Sequence, residues 1–442
     1  SPCLIAKQTA YKKESILKSL YTALFFLCLP LIIVRLLFRG LRAPAYWRRW
    51  PERFGDSLGT PFKAQAIWIH AVSVGEVEAC KPLVKALQKA YPKHNLLITT
   101  MTPTGSDRVK LLFSDTVFHC YLPYDLPFAI NRFLKLNRPV FGIIMETEIW
   151  PNLILTCKQQ GIPVVLANAR MSDRSAKGYA YFPEFIKSIL NSLRFIAAQG
   201  QQDQDNFHKL GADITDVHKI GNLKYEISLP VSLVEKSKAM RATWGNNRQV
   251  LLAGSTHEGE EEIILQATRL IQSKFPNLLL VLVPRHPERF DRVAGLAHRA
   301  GFKTLRHSDQ PTCSSDTHVL IVDTMGELPL FYAACDVAFI GGSLIPHGGH
   351  NLLEPAALGR PIIIGPHFFN FNDITKQFLQ ANAAIEVSDT ETLSDSVSNL
   401  LTNPEQRAEM GKTGLKLIAN SRGASVRLAK LLERYIVIHD PE

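Results

Sequence analysis

Short apolar runs alternate with helix-patterned stretches through most of this 442-residue chain. In the first half, Ala66–His70, Leu96–Thr99, Val117–Tyr121, Val140–Met145, Pro163–Ala167 and Phe195–Ala198 are nearly continuous apolar segments of strand length. The stretches between them (Glu76–Ala90, Ser106–Phe113, Pro127–Leu136, Trp150–Gln160) carry helical spacing, with a helix entry at Thr102-Pro103-Thr104-Gly105. The pattern restarts after Asn247. Strands are predicted at Gln249–Ala253, Leu278–Val283, Val319–Val322, Val337–Ile340, Pro361–Ile364 and Ala384–Val387, and helices at Gly259–Lys274, Glu327–Ala334, Glu391–Leu401 and Glu405–Ala419. Strands that are apolar throughout, rather than alternating, belong to parallel sheets covered on both faces. The chain therefore reads as an α/β protein with two Rossmann-like domains, whose ligands are expected at the carboxyl ends of the strands.

A different pattern opens the chain. Ser19 to Val34 is an uncharged, mostly apolar run, extendable through Leu36, Leu37 and Phe38 if Arg35 snorkels. As a helix, its 16 residues span ~24 Å, slightly less than the ~30 Å hydrocarbon core of a bilayer. It ends not in small residues but in Arg35, Arg39, Arg42, Arg48, Arg49 and Arg53, interleaved with Tyr46, Trp47 and Trp50. Cations with interfacial aromatics suit a headgroup layer, so a membrane anchor, spanning or interfacial, is the expectation. A helix docked on the protein or on a partner is the alternative. The division follows: an anchor and basic segment over 1–55, a first domain over 56–228, a linker with a short helix over 229–248 and a second domain over 249–442.

Charge sharpens this division. Residues 1–53 hold ten Lys and Arg against two Glu, so they account for eight of the ten net positive charges. A body so nearly neutral, without a basic–aromatic stripe, argues against nucleic acid. Seven cysteines (Cys3, Cys28, Cys80, Cys120, Cys157, Cys313, Cys335) contain no CxxC pair, which reads as reduced, buried thiols in a cytosolic body.

The strand ends carry the chemistry. His70-Ala71-Val72-Ser73-Val74-Gly75-Glu76 leads from the first strand into a helix. Glu76 there either takes a proton from an attacking hydroxyl or merely complements the helix dipole. Met145-Glu146-Thr147-Glu148 places two carboxylates after a buried strand, where they must be solvated, paired or functional. In the second half, Gly254-Ser255-Thr256-His257 precedes an acidic helix start at Glu258 to Glu262. Pro284-Arg285-His286-Pro287 offers an Arg that grips a phosphate or forms a structural salt bridge. Asp323-Thr324-Met325-Gly326-Glu327 is a further strand-to-helix turn. Gly341-Gly342-Ser343 through His347-Gly348-Gly349-His350-Asn351-Leu352-Leu353-Glu354-Pro355 joins close-approach glycines to amides near the helix start that favour phosphate, and to an acid, Glu354, able to accept ribose hydroxyls. His347 and His350 lack a third ligand at sensible spacing, so no metal is expected. Neither GxxxxGK[ST] nor GxGxxG occurs in these turns, which excludes a P-loop ATPase and a dinucleotide oxidoreductase.

Taken together, HAVSVGE, METEIWPN, GSTHEGEE, VPRHPERF, DTMGEL and GGSLIPHGGHNLLEP, with the opening YTALFFLCLPLIIVRLLFRGLRAPAYWRRW, strongly resemble the Kdo (3-deoxy-manno-octulosonic acid) transferases of lipopolysaccharide assembly, from about Tyr21 to about Tyr435 and in the family's order. The resemblance implies a GT-B glycosyltransferase, two Rossmann-like domains facing a cleft, with a membrane-associated N-terminus at the cytoplasmic face of the inner membrane. It implies inverting transfer of Kdo from CMP-Kdo to the lipid A precursor, with no cofactor and no required metal. Carried over by motif, Glu76 is the general base, Glu146 a second carboxylate, with Glu148 as its rival, and Lys224 of GNLKYE faces the transferring sugar. CMP is expected against Pro284, Arg285, Met325, Gly326, Glu327, Asn351, Leu352, Leu353 and Glu354. The expected partners are CMP-Kdo, the lipid A precursor and anionic lipids of the inner membrane. A GT-B enzyme with a UDP donor and a non-enzymatic membrane-tethered scaffold are the competing readings.

Overall fold

The computed structural model describes residues 2–42, 44–56, 65–227, 229–230, 232–245, 247–309 and 313–435, with backbone alone for 2–15 and 42. The expectations for the side chains of Cys3, Lys7, Lys12, Lys13 and Arg42 therefore lie outside the described residues. The chain forms two compact units. The first comprises residues up to Glu226 and those from Arg422 onward; the second runs from Ile227 to Ser421.

Among the described residues, the first unit has seven strands: β1 (Ala66–His70), β2 (Asn95–Thr100), β3 (Phe118–Tyr121), β4 (Pro139–Met145), β5 (Val164–Ala169), β6 (Phe195–Ala198) and β7 (Val217–Lys219). They form one parallel sheet in the order β3-β2-β1-β4-β5-β6-β7. Side chains alternate across a sheet, so β1 sends Ala66 and Trp68 to one face and Ile67 and Ile69 to the other, and both faces are buried cores. Phe133, Ile154, Ile186 and Phe207, from four helices, cover the first face. The second face takes Leu83, Leu87 and Val109, together with Ala424, Leu428 and Leu432 of the C-terminal helix Ala424–Tyr435. That last helix was expected in the second domain, but its apolar stripe completes the first core instead. Gly142 on β4 lets the backbone pass the Trp68 ring; a Cβ there would sit 2.5 Å from it.

The second unit repeats the plan, again among the described residues: β8 (Val250–Thr256), β9 (Leu279–Pro284), β10 (Thr304–Arg306), β11 (Val319–Ile321), β12 (Val337–Ile340), β13 (Ile362–Ile364) and β14 (Ala384–Glu386). They are parallel, in the order β10-β11-β9-β8-β12-β13-β14. The expected linker helix is present at Leu233–Trp244 and stacks Trp244 on Phe331.

The opening segment is one helix, Pro2–Arg42, with an apolar stretch from Ile16 to Leu41 long enough to cross a membrane. One stripe docks on the first unit. Leu17 and Tyr21 pack on its main core, and Phe25, Leu29 and Ile32 pack around Tyr124, Leu126 and Ala129. On the opposite side Leu20, Leu24, Leu27, Leu31, Val34, Phe38 and Leu41 are exposed. Cys28 is exposed too, whereas the other five described cysteines are buried free thiols, so the expectation of burial fails at Cys28 alone among them. The headgroup-facing Arg cluster needs a larger correction. Arg53 is 2% exposed and donates to the Met101 carbonyl. Arg49 bonds Glu52 at 2.7 Å, Ser106 and the His119 carbonyl, and both guanidiniums lie over the Tyr121 ring. These two cations clamp the segment to the domain, and only Arg35, Arg39 and Arg48 of the six are described as exposed.

Candidate active site

In the first unit the sheet order reverses between β1 and β4, the position at which open α/β sheets bind ligands. Glu76 follows β1 on the first turn of the helix Val74–Ala79, with Ser73 in extended conformation at its N-cap. The Val72 N–H donates to Glu76 Oε2 at 2.8 Å and the Ser73 hydroxyl to Oε1 at 3.2 Å. Glu76 as a whole is 8% exposed. Burial, with the charges of Glu146 and Glu148 adding, outweighs those hydrogen bonds and pushes its carboxyl up to about 8.

Glu146 follows β4 in the left-handed region, at φ +57°. Only its carboxylate, of the two in that turn, pairs with a cation: Lys224 Nζ lies 2.7 Å from Oε1. Glu148 instead accepts from the Trp150 indole at 2.8 Å. Burial raises its carboxyl, and the Trp150 hydrogen bond opposes this.

Lys224 is delivered by a short turn, Leu223–Tyr225, built by amides that the sequence reading passed over. Asn168, at the end of β5 and also left-handed (φ +51°), accepts the Leu223 N–H on Oδ1 at 2.9 Å. Asn222 accepts the Lys224 N–H at 2.9 Å and donates to Gln199, which in turn donates to the Asn168 carbonyl. The signal was the sequence Leu166-Ala167-Asn168 itself: a buried amide closing an apolar strand needs partners. Glu76, Glu146, Asn168, Gln199 and Lys224 thus stand at or just beyond the ends of β1, β4, β5, β6 and β7, neighbours in that order.

The second sheet reverses between β8 and β12. Pro284 ends β9 and is buried; Arg285 follows it, half-buried, with its N–H on the Thr256 carbonyl and its guanidinium without a hydrogen-bonded or ion-paired partner among the described residues. Beyond neighbouring β11, Met325 is exposed, Gly326 is left-handed (φ +87°), and Glu327 accepts from the Thr324 hydroxyl and lies 3.6 Å from His307. Asn351 accepts the Leu353 N–H and donates to Glu354. Leu352 and Leu353 are fully buried, so that turn offers backbone and the Asn351 and Glu354 side chains, not the leucines.

The amides of Gly342, Ser343 and Leu344 are not open to a phosphate: all three donate to the Glu260 carboxylate at 2.7–3.1 Å. Glu260 and Glu261 look like a solvated helix start in sequence, but both are fully buried, and Glu261 is held by Arg289 through both oxygens at 2.7 and 2.9 Å. Around this clamp lie His257, His286, His347 and His350. Among the described residues, no group of three or more His, Cys, Asp or Glu is placed to hold a metal ion.

A family described as 3-deoxy-D-manno-octulosonic-acid transferase (kdotransferase) matches residues 48–227, and one described as glycosyl transferases group 1 matches 247–417. The chain is 43% identical over 419 residues to the 3-deoxy-D-manno-octulosonic acid transferase of Haemophilus influenzae, covering 94% of this chain and 98% of that one. It is 36% identical to the enzyme of the same name from Bordetella pertussis, covering 92% and 96%. Among solved structures, a UDP-GlcNAc 2-epimerase from Neisseria meningitidis superposes with a TM-score of 0.54 at 16% identity, over 84% of this chain and all of that one, a likeness of fold.

Proposed function

From the premise that this chain belongs to the 3-deoxy-D-manno-octulosonic acid (Kdo) transferases, with the two-sheet architecture of GT-B glycosyltransferases, we propose that it transfers Kdo from CMP-Kdo to a hydroxyl of the lipid A precursor, with Glu76 as general base. The observation that carries the base assignment is the buried Glu76 carboxyl, pushed up to about 8 beside the carboxylates of Glu146 and Glu148. A carboxylate so destabilised takes up a proton readily, and its basicity approaches what general-base catalysis wants near neutral pH.

In the step, Glu76 removes the proton of the acceptor hydroxyl. The freed oxygen pair attacks the anomeric carbon of Kdo from the face opposite CMP. The bond from that carbon to the phosphate oxygen breaks, CMP departs with the electron pair, and the configuration inverts. Lys224, oriented by Glu146 and Asn222, supplies a cation towards the Kdo carboxylate or the phosphate. CMP rests on the second unit against Pro284, Arg285, Met325 to Glu327 and Asn351 to Glu354. No cofactor takes part. The exposed apolar face of Pro2–Arg42 meets the lipid that carries the acceptor, and Arg35, Arg39 and Arg48 meet anionic headgroups at the cytoplasmic side of the inner membrane.

The test is transfer from CMP-Kdo, generated in situ, to a tetraacylated lipid A precursor, read by mass spectrometry. Wild type should add one or more Kdo masses, and Glu76→Gln should lose about 10²–10⁴ of the rate while CMP still raises its melting temperature. Full activity in Glu76→Gln removes the base assignment. A folded wild type stabilised by CMP but silent on this acceptor removes the lipid A precursor.

A further inference from the structure

Four imidazoles stand at the carboxyl ends of three adjacent strands of the second sheet: His257 after β8, His286 after β9, His347 and His350 after β12. His257 touches each of the other three. His257 Nε2 lies 2.8 Å from His350 Nε2, with ring planes 2° apart. His347 stacks on His257 at 4.3 Å, and His286 meets it edge-on at 5.4 Å. Among the described residues no three of these or other His, Cys, Asp or Glu side chains are placed to hold a metal ion, so the cluster is no chelate. The Nε2–Nε2 contact requires a proton on one of the two nitrogens and a lone pair on the other.

The surrounding charges are sparse and already committed. Arg289 is spent on Glu261, and Glu260 is saturated by four N–H groups, those of Gly342, Ser343, Leu344 and His257. Glu288 acts on His286, against the lowering by burial and Arg285. Arg285, acting on both His286 and His350, remains the open cation. Burial first, then the other imidazoles and Arg289, pushes His257 down to about 3. Burial and Arg285 push His350 down to about 4, and His286 is lowered by the same two causes. His257, His286 and His350 are thus held towards the neutral form beside the Arg285 guanidinium. An arriving oxyanion reverses that balance, because it favours the charged form of every ring it touches. The loop bearing His347 and His350 is shaped for this arrangement: at Gly342 (φ +70°) a Cβ would come within 3.3 Å of both His350 and His257.

We propose that His257, His286, His347 and His350, with Arg285, form the oxyanion wall of the nucleotide-sugar site, and that seating a ligand oxyanion there draws a proton from solvent onto the histidine cluster. The bond formed is an imidazole N–H with a proton from the buffer; no bond of the ligand changes. The inference rests on CMP binding to this unit, and the shared chemistry of the ligand is an oxyanion, either the phosphate of CMP or the carboxylate of Kdo.

The experiment is calorimetric titration of the full chain at pH 7.5 in two buffers of different ionisation enthalpy. At that pH a nucleotide phosphate is already ionised, its second step lying near pH ~6. CMP should bind with net proton uptake and cytidine with none. His350→Gln and, separately, the exposed His347→Gln should weaken CMP about tenfold and diminish the uptake. Uptake with Kdo but not with CMP would place the carboxylate on the wall and leave the proposal standing. CMP binding with identical enthalpy in both buffers, undiminished in the two variants and with no uptake for Kdo, overturns the wall and leaves the CMP reading intact. A wild type that binds no CMP overturns both.

Discussion

Glu146 occupies a backbone conformation that costs an ordinary residue about 1–2 kcal/mol, and its charge adds to the burial that pushes its neighbour Glu76 up. Glu76 must be ionised to act as a base. With its carboxyl pushed up to about 8, kcat/KM should rise with pH and level off above that value. Glu146 contributes to the push, so Glu146→Gln should move the inflection to lower pH. Lys224→Met, which strips the counter-charge from Glu146, should move it to higher pH. Measuring the pH profiles of the two variants decides the matter: shifts of the same sign would show that the pair does not govern Glu76. Part of this site was legible as residue types at strand ends, since Glu76 and Glu146 follow the points where apolar runs stop; Lys224, beyond a strand with no apolar run, was reached only through the family resemblance. The left-handed backbone at Glu146 and Asn168 was not legible, because no local pattern marks it. Nor was the choice between Glu146 and Glu148, which depends on a lysine 78 positions beyond Glu146 in the chain.

At the scale of elements, buried carboxylates acting across long sequence separations do much of the organising. Asp125 accepts the Asn152 and Leu153 N–H groups at 3.0 and 2.8 Å, capping the helix Pro151–Gln159 from another segment, while Asn152 meets Thr22 of the N-terminal helix. Asp125→Ala leaves two helix-end donors unpaired and should cost about 1–3 kcal/mol in denaturant unfolding; a change under half of the lower figure would show the cap to be dispensable. The roles of Asp125 and Glu260 were invisible in the sequence for the same reason: Asp125 serves amides 27 and 28 positions away and Glu260 serves three amides more than 80 positions away, which no local pattern can indicate. The two strands that escaped prediction, Val217–Lys219 and Thr304–Arg306, are three-residue sheet edges. An edge strand pairs on one side only and can keep polar residues, so it lacks the apolar run that announced most of the others.

At the scale of the whole molecule, the concentration of positive charge in the first 53 residues divides in two. Arg49 and Arg53 spend theirs inside the first unit, whereas Arg35, Arg39 and Arg48 display theirs beside the exposed face of the long helix. The composition arithmetic located the charge correctly but could not separate clamp from display, because the two kinds of arginine share one short segment. The two-sheet plan was legible because both sheets are built of interior strands with apolar sequences. The C-terminal helix was misplaced because an amphipathic stripe shows that a face is buried, not which core buries it.

The Glu226 carboxylate accepts the Gly423 N–H at 2.7 Å and the Ser425 N–H at 3.3 Å. Glu226 is where the chain leaves the first unit, and Arg422 is where it returns. The second unit is therefore a guest inserted into a host whose two cut ends already touch. Excising 227–421 and bridging Glu226 to Arg422 with a few glycines, each reaching up to ~3.5 Å, should leave a host that folds cooperatively by itself, with the C-terminal helix still on its sheet. A molten host would mean that the guest, although a separate unit by topology, is required for the host to fold.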